Sequence, residues 1–546
     1  MRLIGLAVTV SAISLAAACS AQVSVPSGPG APVESRPANA PDQQPAFAGQ
    51  TRAPGVQTTL ALSHSVVASG LEHPWGLALL PDGRWLVTER PGRLRIISAD
   101  GEISAPVAGL PAVAARGQGG LLDVVTGPSF GTDRMIYWSY AEARPDSGVD
   151  GGNATSVARG RLSDDGSRVE GVQVIFRALP DYDGDKHFGS SLAFALDGTL
   201  FITLGERSDA PMRPQAQDLG SHMGKTIRIN ADGTAPADNP YVGQAGALPE
   251  IWSLGHRNMQ GVAIQPGTGT VWTIEHGARG GDEVNLDRAG GNYGWPDAAY
   301  GIEYRGGPIN EGLTARTGTE QPVYYWDPVI APGGATFYDG AMFPGWRGNL
   351  LVASLKEKHI ARLVIRDDRV VGEERLLTDL GERVRDVAVL KGGGFGGLAR
   401  PELCGRGLFA RPHLVGEGVH VEACGPGLAE HALDPLLLFL DVVFDQLGQH
   451  LDLGVVELFV WAAGLDLVDQ DLGRVVLDIG LVDEVVLNLA AAGRVEDLFL
   501  DHCVHLQFQA DALGQLLLLR LARGSLELFE QVLHLAVVGL EHRNRI

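Results

Sequence analysis

Apolar stretches with strand-like spacing recur along most of the first 400 residues. In GLALLPDGRWLVTER (76–90), an apolar run leads into a Pro-Asp-Gly turn and then a second apolar run. The same order returns at 121–142, 191–207, 261–277 and 335–355, and a further copy begins at 384–394. Strand, glycine-bearing turn and strand, repeated at wide spacing without a helical period, is typical of β-propeller blades. The pattern predicts an all-β, six-bladed β-propeller over residues 58–396, and six copies of one hairpin fit a β-sandwich less well.

The residues before this region predict export. Residues 1–19 combine Arg2, a short apolar run and small residues that end at Cys19. This order is typical of a signal peptide, and the apolar run is too short to span a bilayer. The small residues before Cys19 favour a lipid anchor on that residue; the alternative is an ordinary cleaved signal. We expect a periplasmic protein anchored to the outer membrane, with 20–57, rich in Pro, Ala, Gly and Gln, as a flexible tether.

The composition changes again after residue 396. From residue 392 onward the chain contains no Lys, Thr, Tyr or Met, and leucine dominates runs such as DPLLLFLD (434–441). A domain of this size ordinarily uses all common residue types. We interpret 397–546 as an out-of-family segment from a shifted reading frame; the alternative is a Leu-rich extension that is helical or disordered. Because the sixth hairpin copy breaks off here, the last blade is expected to be incomplete.

Charge and cysteine usage narrow the function classes. The 43 Lys and Arg against 65 Asp and Glu give a formal charge of −22, which argues against nucleic acid and anionic membrane surfaces as partners. Four cysteines without a CxxC pair support neither a disulfide framework nor a zinc site. Because no GxGxxG fingerprint opens a strand–helix unit, NAD is not the expected cofactor.

Polar residues crowd one loop in an unusual way. In SLGHRNMQG (253–261), His, Arg, Asn and Gln stand between two glycines just before an apolar strand. This stretch belongs to an ordered set of seven motifs: GQGGLLDV (117–124), HFGSSLAF (187–194), LGHRNMQGVA (254–263), EHGARGGDEVNL (275–286), GGNYGWP (290–296), SLKEKHIARL (354–363) and ERVRDVAV (382–389). Over about residues 58–391, the set resembles the soluble glucose/sorbosone dehydrogenase family that depends on pyrroloquinoline quinone (PQQ), and within it the bacterial aldose sugar dehydrogenases.

The resemblance implies a site for PQQ, a planar ortho-quinone that carries three carboxylates. An acidic protein must supply a local cluster of cations to hold such an anion, and the planar donor fork of arginine suits carboxylates. By resemblance the PQQ-binding residues are Gln118, Arg257, Asn258, Gln260, Lys356, Arg383 and Arg385. Each alone could be an ordinary surface residue, but their combination favours a site.

The resemblance also implies a catalytic base and calcium. His187 opens the HFGS motif, and its imidazole titrates near neutral pH, as a general base requires. Glu206 is expected to orient His187, and Ser191 stands where the family usually has Arg. The carbonyls of Gly277 and Ala278 would hold the calcium that touches PQQ, and Ala278 replaces a proline that is frequent in the family. Glu283 and the Tyr293 carbonyl match a second, structural calcium site.

These expectations combine into a function. We expect oxidation of aldose sugars at the anomeric carbon to lactones, with His187 as base and hydride transfer to the quinone, followed by electron transfer to a periplasmic acceptor. The alternatives are a non-catalytic propeller that binds sugar or protein, and a calcium-dependent propeller hydrolase that acts on lactones. The cationic set distinguishes them, since neither alternative needs a cradle for a tricarboxylate. The oligomeric state and the preferred sugar stay unassigned.

Overall fold

The computed structural model describes residues 30–59 and 62–400, and it also describes the backbone of residues 405–412. The strands are β1 (Leu62–Leu71), β2 (Pro74–Leu79), β3 (Trp85–Glu89), β4 (Arg93–Ile97), β5 (Leu121–Thr126), β6 (Met135–Ala143), β7 (Asn153–Leu162), β8 (Val169–Arg177), β9 (Leu192–Phe194), β10 (Leu200–Thr203), β11 (Lys225–Ile229), β12 (Ile251–Leu254), β13 (Met259–Ile264), β14 (Val271–Glu275), β15 (Asp282–Asp287), β16 (Tyr324–Trp326), β17 (Pro332–Phe337), β18 (Leu350–Ser354), β19 (Ile360–Arg366), β20 (Arg369–Leu376), β21 (Arg383–Val389), β22 (Phe395–Arg400) and β23 (Gly405–Pro412). Helix is scarce: α1 (Phe130–Asp133) is one turn, and 3₁₀ turns occur at Pro145–Ser147, Arg213–Gln217 and Pro344–Trp346.

The strands form antiparallel sheets arranged around a centre. The sheets are β2–β4, β5–β8, β9–β12, β13–β16, β17–β20 and the group β21, β22, β23 and β1. Their first strands, β2, β5, β9, β13, β17 and β21, contact one another in cyclic order. A closed ring of sheets, each begun by its innermost strand, is the β-propeller architecture. The β-propeller class is therefore confirmed.

The predicted count of six blades is corrected. Among the described residues, five sheets have the four strands of a full blade, and β2–β4 has three. The expectation of an incomplete last blade is also wrong, because β22 and β23 continue that sheet past residue 396, the predicted end of the propeller. The chain start supplies its fourth strand, since β1 pairs antiparallel with β23 from Leu62 opposite Pro412 to Leu71 opposite Gly405. This pairing leaves the sheet without the unfinished edge that the hairpin pattern suggested.

Burial on both faces explains why the strands read as near-continuous apolar runs. All residues of β3, β14 and β18 are buried. Between the fourth and fifth sheets of the chain, the Trp272 ring packs edge-on against Phe337, with 5.6 Å between their centroids. Sheets that face other sheets on both sides need apolar side chains at successive positions rather than at alternate ones. The hairpins turn on glycines such as Gly83, whose φ of +92° suits only a residue without a Cβ.

The N-terminal arm, which we define as residues 30–59, differs from the expected flexible tether. Backbone bonds join it to the outer strand β20, where Val56 N donates to Glu373 O at 2.9 Å. Gln50 is fully buried and donates to the Pro322 carbonyl at 2.9 Å. The arm therefore packs on the propeller, because its amide and carboxyl groups find specific partners despite its Pro- and Gly-rich composition.

Three sequence predictions fall outside the described residues. They are the signal peptide and lipid anchor at residues 1–19 with Cys19, the start of the tether at 20–29, and the greater part of the out-of-family segment, 413–546. In the part of the chain that the structure describes, no helix is long and apolar enough to cross a membrane.

Candidate active site

Four of the predicted site residues lie in loops that precede innermost strands. Gln118 lies just before β5, His187 before β9, and Arg257 and Asn258 before β13. Arg385 lies near the start of β21. Because the first strands of the sheets contact one another around the ring, these positions converge on one end of the propeller.

Hydrogen bonds join these residues into one cluster. The His187 backbone N donates to Gln118 Oε1 at 2.9 Å. Gln260 donates from Nε2 to Asn258 Oδ1 at 3.0 Å and accepts from Arg385 Nη1 on its Oε1 at 2.8 Å. Five predicted residues are thus hydrogen-bonded to another member of the set, four through their side chains and His187 through its backbone. The loop of His187 joins the second group through Gly189, whose backbone N donates to Asn258 Oδ1 at 3.3 Å. The polar loop singled out in the sequence forms the centre of this cluster.

His187 and Glu206 form a buried pair at its edge. The His187 Nδ1 atom lies 2.6 Å from Glu206 Oε2, which also accepts from the Ser208 backbone N at 2.9 Å. Burial lowers the pKa of His187 below its ordinary value of 6.5, and the negative charge of Glu206 offsets this only in part. The imidazole is therefore neutral at neutral pH, with Nδ1 engaged by Glu206, and this protonation state would suit a general base.

Arg207 holds the loop that carries His187, and sequence reasoning missed it. Its guanidinium donates to the carbonyls of Lys186 at 3.0 Å and Asn153 at 3.1 Å, and to Asn153 Oδ1 at 2.8 Å. It also lies 4.1 Å from the centroid of the Phe188 ring. His187 and Arg207 both have positive φ, +47° and +73°, a backbone state that persists only when its surroundings impose it. The adjacency of Arg207 to Glu206 was the only signal in the sequence.

Two buried arginines of the predicted set have unpaired donors. Arg385 is 3% exposed and Arg257 4% exposed. Among the described residues, Arg385 Nε and Nη2 and Arg257 Nε have no hydrogen-bond partner. Buried donors of a charged group are costly to leave unpaired, so such an arrangement favours an anionic ligand.

Aromatic rings hold these guanidinium groups in place. The Arg385 guanidinium lies 3.7 Å from the centroid of Trp75, and that of Arg257 lies 5.3 Å from Trp295. Burial lowers the pKa of Arg385 to about 10, so it stays charged at neutral pH. Burial raises the pKa of Asp123 to about 6 and that of its neighbour Asp386 to about 8. The acidic groups around Arg385 are thus partly protonated at neutral pH and compensate its charge only in part.

The other two predicted cations lie outside the hydrogen-bonded cluster. Lys356 is exposed in the loop after β18, and its backbone N donates to the Ile330 carbonyl at 3.0 Å. Arg383 is exposed at the first position of β21, opposite residue 400. The structure therefore separates the predicted set into a buried group and two surface cations whose long side chains face solvent.

The glycine-rich loop between β14 and β15 is tightly folded. The Gly277 backbone N donates to Asp282 Oδ1 at 2.8 Å, and burial raises the pKa of Asp282 to about 6. Arg257 donates from Nη1 to the carbonyl of Gly277. A Cβ at residue 277 would lie 2.3 Å from the Gly280 carbonyl oxygen, so only glycine fits there. The carbonyl of Gly277, a predicted calcium ligand, thus accepts a hydrogen bond from Arg257, a predicted PQQ-binding residue. Ala278, the other predicted ligand of this calcium ion, is buried.

Glu283 and Tyr293, the predicted residues of the second calcium site, line one small pocket with Glu275. Burial raises the pKa of Glu283 well above its ordinary value, and the charge of Glu275 adds to the effect. Asn285 Nδ2 donates to both carboxylates, at 2.9 Å to Glu275 and 3.3 Å to Glu283. Within the described residues, no group of three or more His, Cys, Asp or Glu side chains is arranged to bind a metal. Any cation here would therefore need backbone carbonyl ligands as well.

Comparison with known proteins assigns the family. The model of the family described as glucose/sorbosone dehydrogenase matches residues 71–395, more than half of the chain. The chain belongs to the glucose/sorbosone dehydrogenase family. It is an enzyme of the oxidoreductase class, and its matched region spans nearly all of the described propeller.

Three relatives of this glucose/sorbosone dehydrogenase place it within the family. The aldose sugar dehydrogenase YliI of Escherichia coli K12 is 46% identical over 324 residues, which are 59% of this chain and 85% of that protein. The quinoprotein glucose dehydrogenase B of Acinetobacter calcoaceticus is 27% identical over 369 residues, 55% of this chain and 76% of that protein. A solved structure of the PQQ-bound aldose sugar dehydrogenase of Streptomyces coelicolor superposes with a TM-score of 0.53 at 26% identity, covering 64% of this chain and 99% of that one.

Proposed function

We propose that this chain is a PQQ- and calcium-dependent aldose sugar dehydrogenase that oxidises the anomeric carbon of aldoses to lactones. One observation carries the proposal: the same site contains a buried His187–Glu206 pair and buried guanidinium donors that have no protein partner. The names of the relatives, aldose sugar dehydrogenase and quinoprotein glucose dehydrogenase, support the substrate class and the cofactor.

The buried cluster fits PQQ. Arg257 and Arg385 would bind its carboxylates through the unpaired guanidinium donors, while Gln118, Asn258 and Gln260 would contact its polar edge. Lys356 and Arg383, exposed on long flexible side chains, would close over the anion from the surface. When bound, PQQ supplies the ortho-quinone that accepts hydride from the sugar.

The protein's own contribution to the chemistry is proton removal. Glu206 holds Nδ1 of His187, which fixes the tautomer and directs Nε2 to accept the proton of the anomeric hydroxyl. The carboxylate also stabilises the imidazolium that forms in this step, in the way that a buried carboxylate supports a catalytic histidine. Arg207 acts through His187 by holding both sides of its loop.

Calcium fits two positions with different chemistry. The Gly277 and Ala278 carbonyls would hold a calcium ion next to PQQ, where the ion would polarise the accepting carbonyl. Arg257 shares the Gly277 carbonyl and would then turn its donors towards the carboxylates. Glu283 and the Tyr293 carbonyl would hold a second ion, whose charge would relieve the repulsion between Glu283 and Glu275.

The cellular context is part of the proposal. Residues 1–19 support export to the periplasm, and Cys19 supports a lipid anchor in the outer membrane. Electrons would then pass to a periplasmic acceptor. The alternative functions, a non-catalytic binding propeller and a calcium-dependent lactonase-like hydrolase, give no reason for buried guanidinium donors to be left unpaired.

A reconstitution experiment tests the proposal. Apoprotein is mixed with PQQ and calcium, and the absorption spectrum is recorded before and after an aldose is added, with a redox dye as final acceptor. Reduction of the bound chromophore by the sugar and sugar-dependent dye bleaching are expected. Intact PQQ binding without oxidation of any aldose would support the binding-module alternative, and lactone hydrolysis without PQQ would support the hydrolase.

A further inference from the structure

The N-terminal arm contacts the back of the loop that carries Gly277 and Ala278. The Asp327 carboxylate accepts three hydrogen bonds from the arm: from Asn39 N at 2.8 Å, from Asn39 Nδ2 at 3.0 Å and from Ala40 N at 2.9 Å. Asp327 in turn lies directly against Gly280, since a Cβ there would be 2.8 Å from its Cγ. The carboxylate is therefore a bridge between the arm and the glycine-rich loop.

A second connection runs through the neighbouring loop at 300–302. Gln43 of the arm binds Gly301 in both directions, donating to its carbonyl at 3.0 Å and accepting from its N–H at 2.7 Å. Residue 302 then pairs with Arg279 through two backbone hydrogen bonds of 3.0 Å each. Arg279 Nε also donates to Asn39 Oδ1 at 3.3 Å. Two arm side chains, Asn39 and Gln43, thus support one short segment of the candidate site.

The same arm reaches the loop that carries Lys356. Arg36 Nη1 donates to Glu357 Oε1 at 2.9 Å, next to Lys356 in the chain. Glu34, which is 8% exposed, binds Arg36 at 2.6 Å and Arg375 of β20 at 2.8 Å. This buried anchor fixes Arg36 to the propeller, so the arm connects two loops that lie far apart in the sequence.

We propose that the N-terminal arm is a positioning clamp, which holds the 277–281 and 356–357 loops in the geometry that binds the cofactor. The proposal rests on the proposed function for the identity of the ligands. Its physical basis is preorganisation, because a loop that is already ordered loses less conformational entropy when the ligand binds. The arm lies outside the region that the family model matches, which begins at residue 71.

The test uses full-length protein with the double substitution Asn39→Ala and Gln43→Ala. Phe47→Ala is the matched control, because Phe47 lies 3.8 Å from the guanidinium of Arg369 at the start of β20 and so tests arm packing at an outer strand. Hydrogen exchange of the cofactor-free protein and PQQ binding by equilibrium titration are measured on both. Circular dichroism checks folding, and the single Gln43→Ala variant replaces the double variant if the latter does not fold.

If the arm is a clamp, amide hydrogen exchange at 277–281 and 300–302 should be faster in the double arm variant. Its dissociation constant for PQQ should rise about tenfold, which corresponds to one or two lost hydrogen bonds. The control should change neither quantity. Unchanged exchange and affinity in the folded arm variant would overturn the proposal, as would equal effects of Phe47→Ala. If wild-type protein fails to bind PQQ, the proposed function fails, whereas the exchange comparison still decides whether the arm holds the loop.

Discussion

The Nδ1 atom of His187 lies 2.6 Å from Glu206 Oε2, and both side chains are buried. The pair joins the loop before β9 to the segment after β10, and Glu206 N donates to the Arg257 carbonyl at 3.0 Å. A candidate base and a candidate cofactor ligand are therefore held by one carboxylate-bearing residue. This arrangement yields the first two predictions.

Replacing His187 removes the proposed base. His187→Gln should lower kcat for aldose oxidation by about 10²- to 10⁴-fold, the usual contribution of a positioned general base. The dissociation constant for PQQ should stay the same, because the proposed carboxylate contacts lie on arginines. Steady-state kinetics and a PQQ titration measure the two effects. Activity within a factor of about three of wild type would show that another group removes the proton.

Glu206→Gln should change the pH dependence as well as the rate. The negative charge of Glu206 raises the pKa of His187, which burial lowers, so a neutral amide should lower that pKa further. The acid limb of the kcat/KM profile, expected below pH 6.5 in wild type, should therefore move to lower pH. The plateau should fall on the order of 10²-fold, because the imidazolium loses its counter-charge. An acid limb that moves to higher pH would contradict the assigned role of Glu206.

Arg207→Lys tests the positioning of the His187 loop. A lysine keeps the charge but cannot reach Lys186, Gly184 and Asn153 together, so kcat should fall about tenfold while the affinity for PQQ stays unchanged. Arg144→Lys is the control, since Arg144 is also nearly buried and donates to the Ala178 carbonyl at 3.1 Å. We expect both variants to lose a comparable amount of stability. Only Arg207→Lys should lose kcat. Equal kcat values would reduce Arg207 to a structural role.

Glu283→Gln tests the second calcium position. The pKa of Glu283 is higher in the folded protein than its ordinary value. In calcium-free buffer, the folded protein should therefore lose stability as the pH rises above the ordinary carboxyl pKa, because the unfolded chain ionises Glu283 more readily. The glutamine variant should therefore melt at a higher temperature than wild type at pH 8 without calcium. Added calcium should raise the melting temperature of wild type much more than that of the variant. Equal calcium-induced shifts would place the ion elsewhere.

The sequence predicted the propeller because its hairpin pattern is local and repeated. Its resemblance to a known family also pointed to the residues that the structure brings together, because Arg257, Asn258 and Gln260 fall in one short motif of the matching set. The closure of the last sheet was missed, because the pairing of β1 with β23 joins residues that are about 340 positions apart. No periodicity within either strand records such a partner.

The N-terminal arm shows the same limit in another form. Its Pro- and Gly-rich composition predicted a flexible tether, whereas Asn39 and Gln43 find partners near residues 327 and 301. Composition measures how much apolar surface a segment can bury, but not whether a few amide groups meet matching acceptors. Arg207 was missed for a related reason, because its role depends on carbonyl groups that any residue could supply.

In the proposed function, buried arginines with unpaired donors hold a carboxylate-rich quinone. Equilibrium titration of the cofactor-free protein with PQQ, comparing wild type with Arg257→Gln, Arg385→Gln and the double variant, tests it most directly. Arg159→Gln serves as a control, because Arg159 already pairs with Gln173 at 3.1 Å. Each site substitution should raise the dissociation constant at least about tenfold, as expected for loss of a charged hydrogen bond, and the control should leave it unchanged. A folded double variant that binds PQQ as tightly as wild type would contradict the claim.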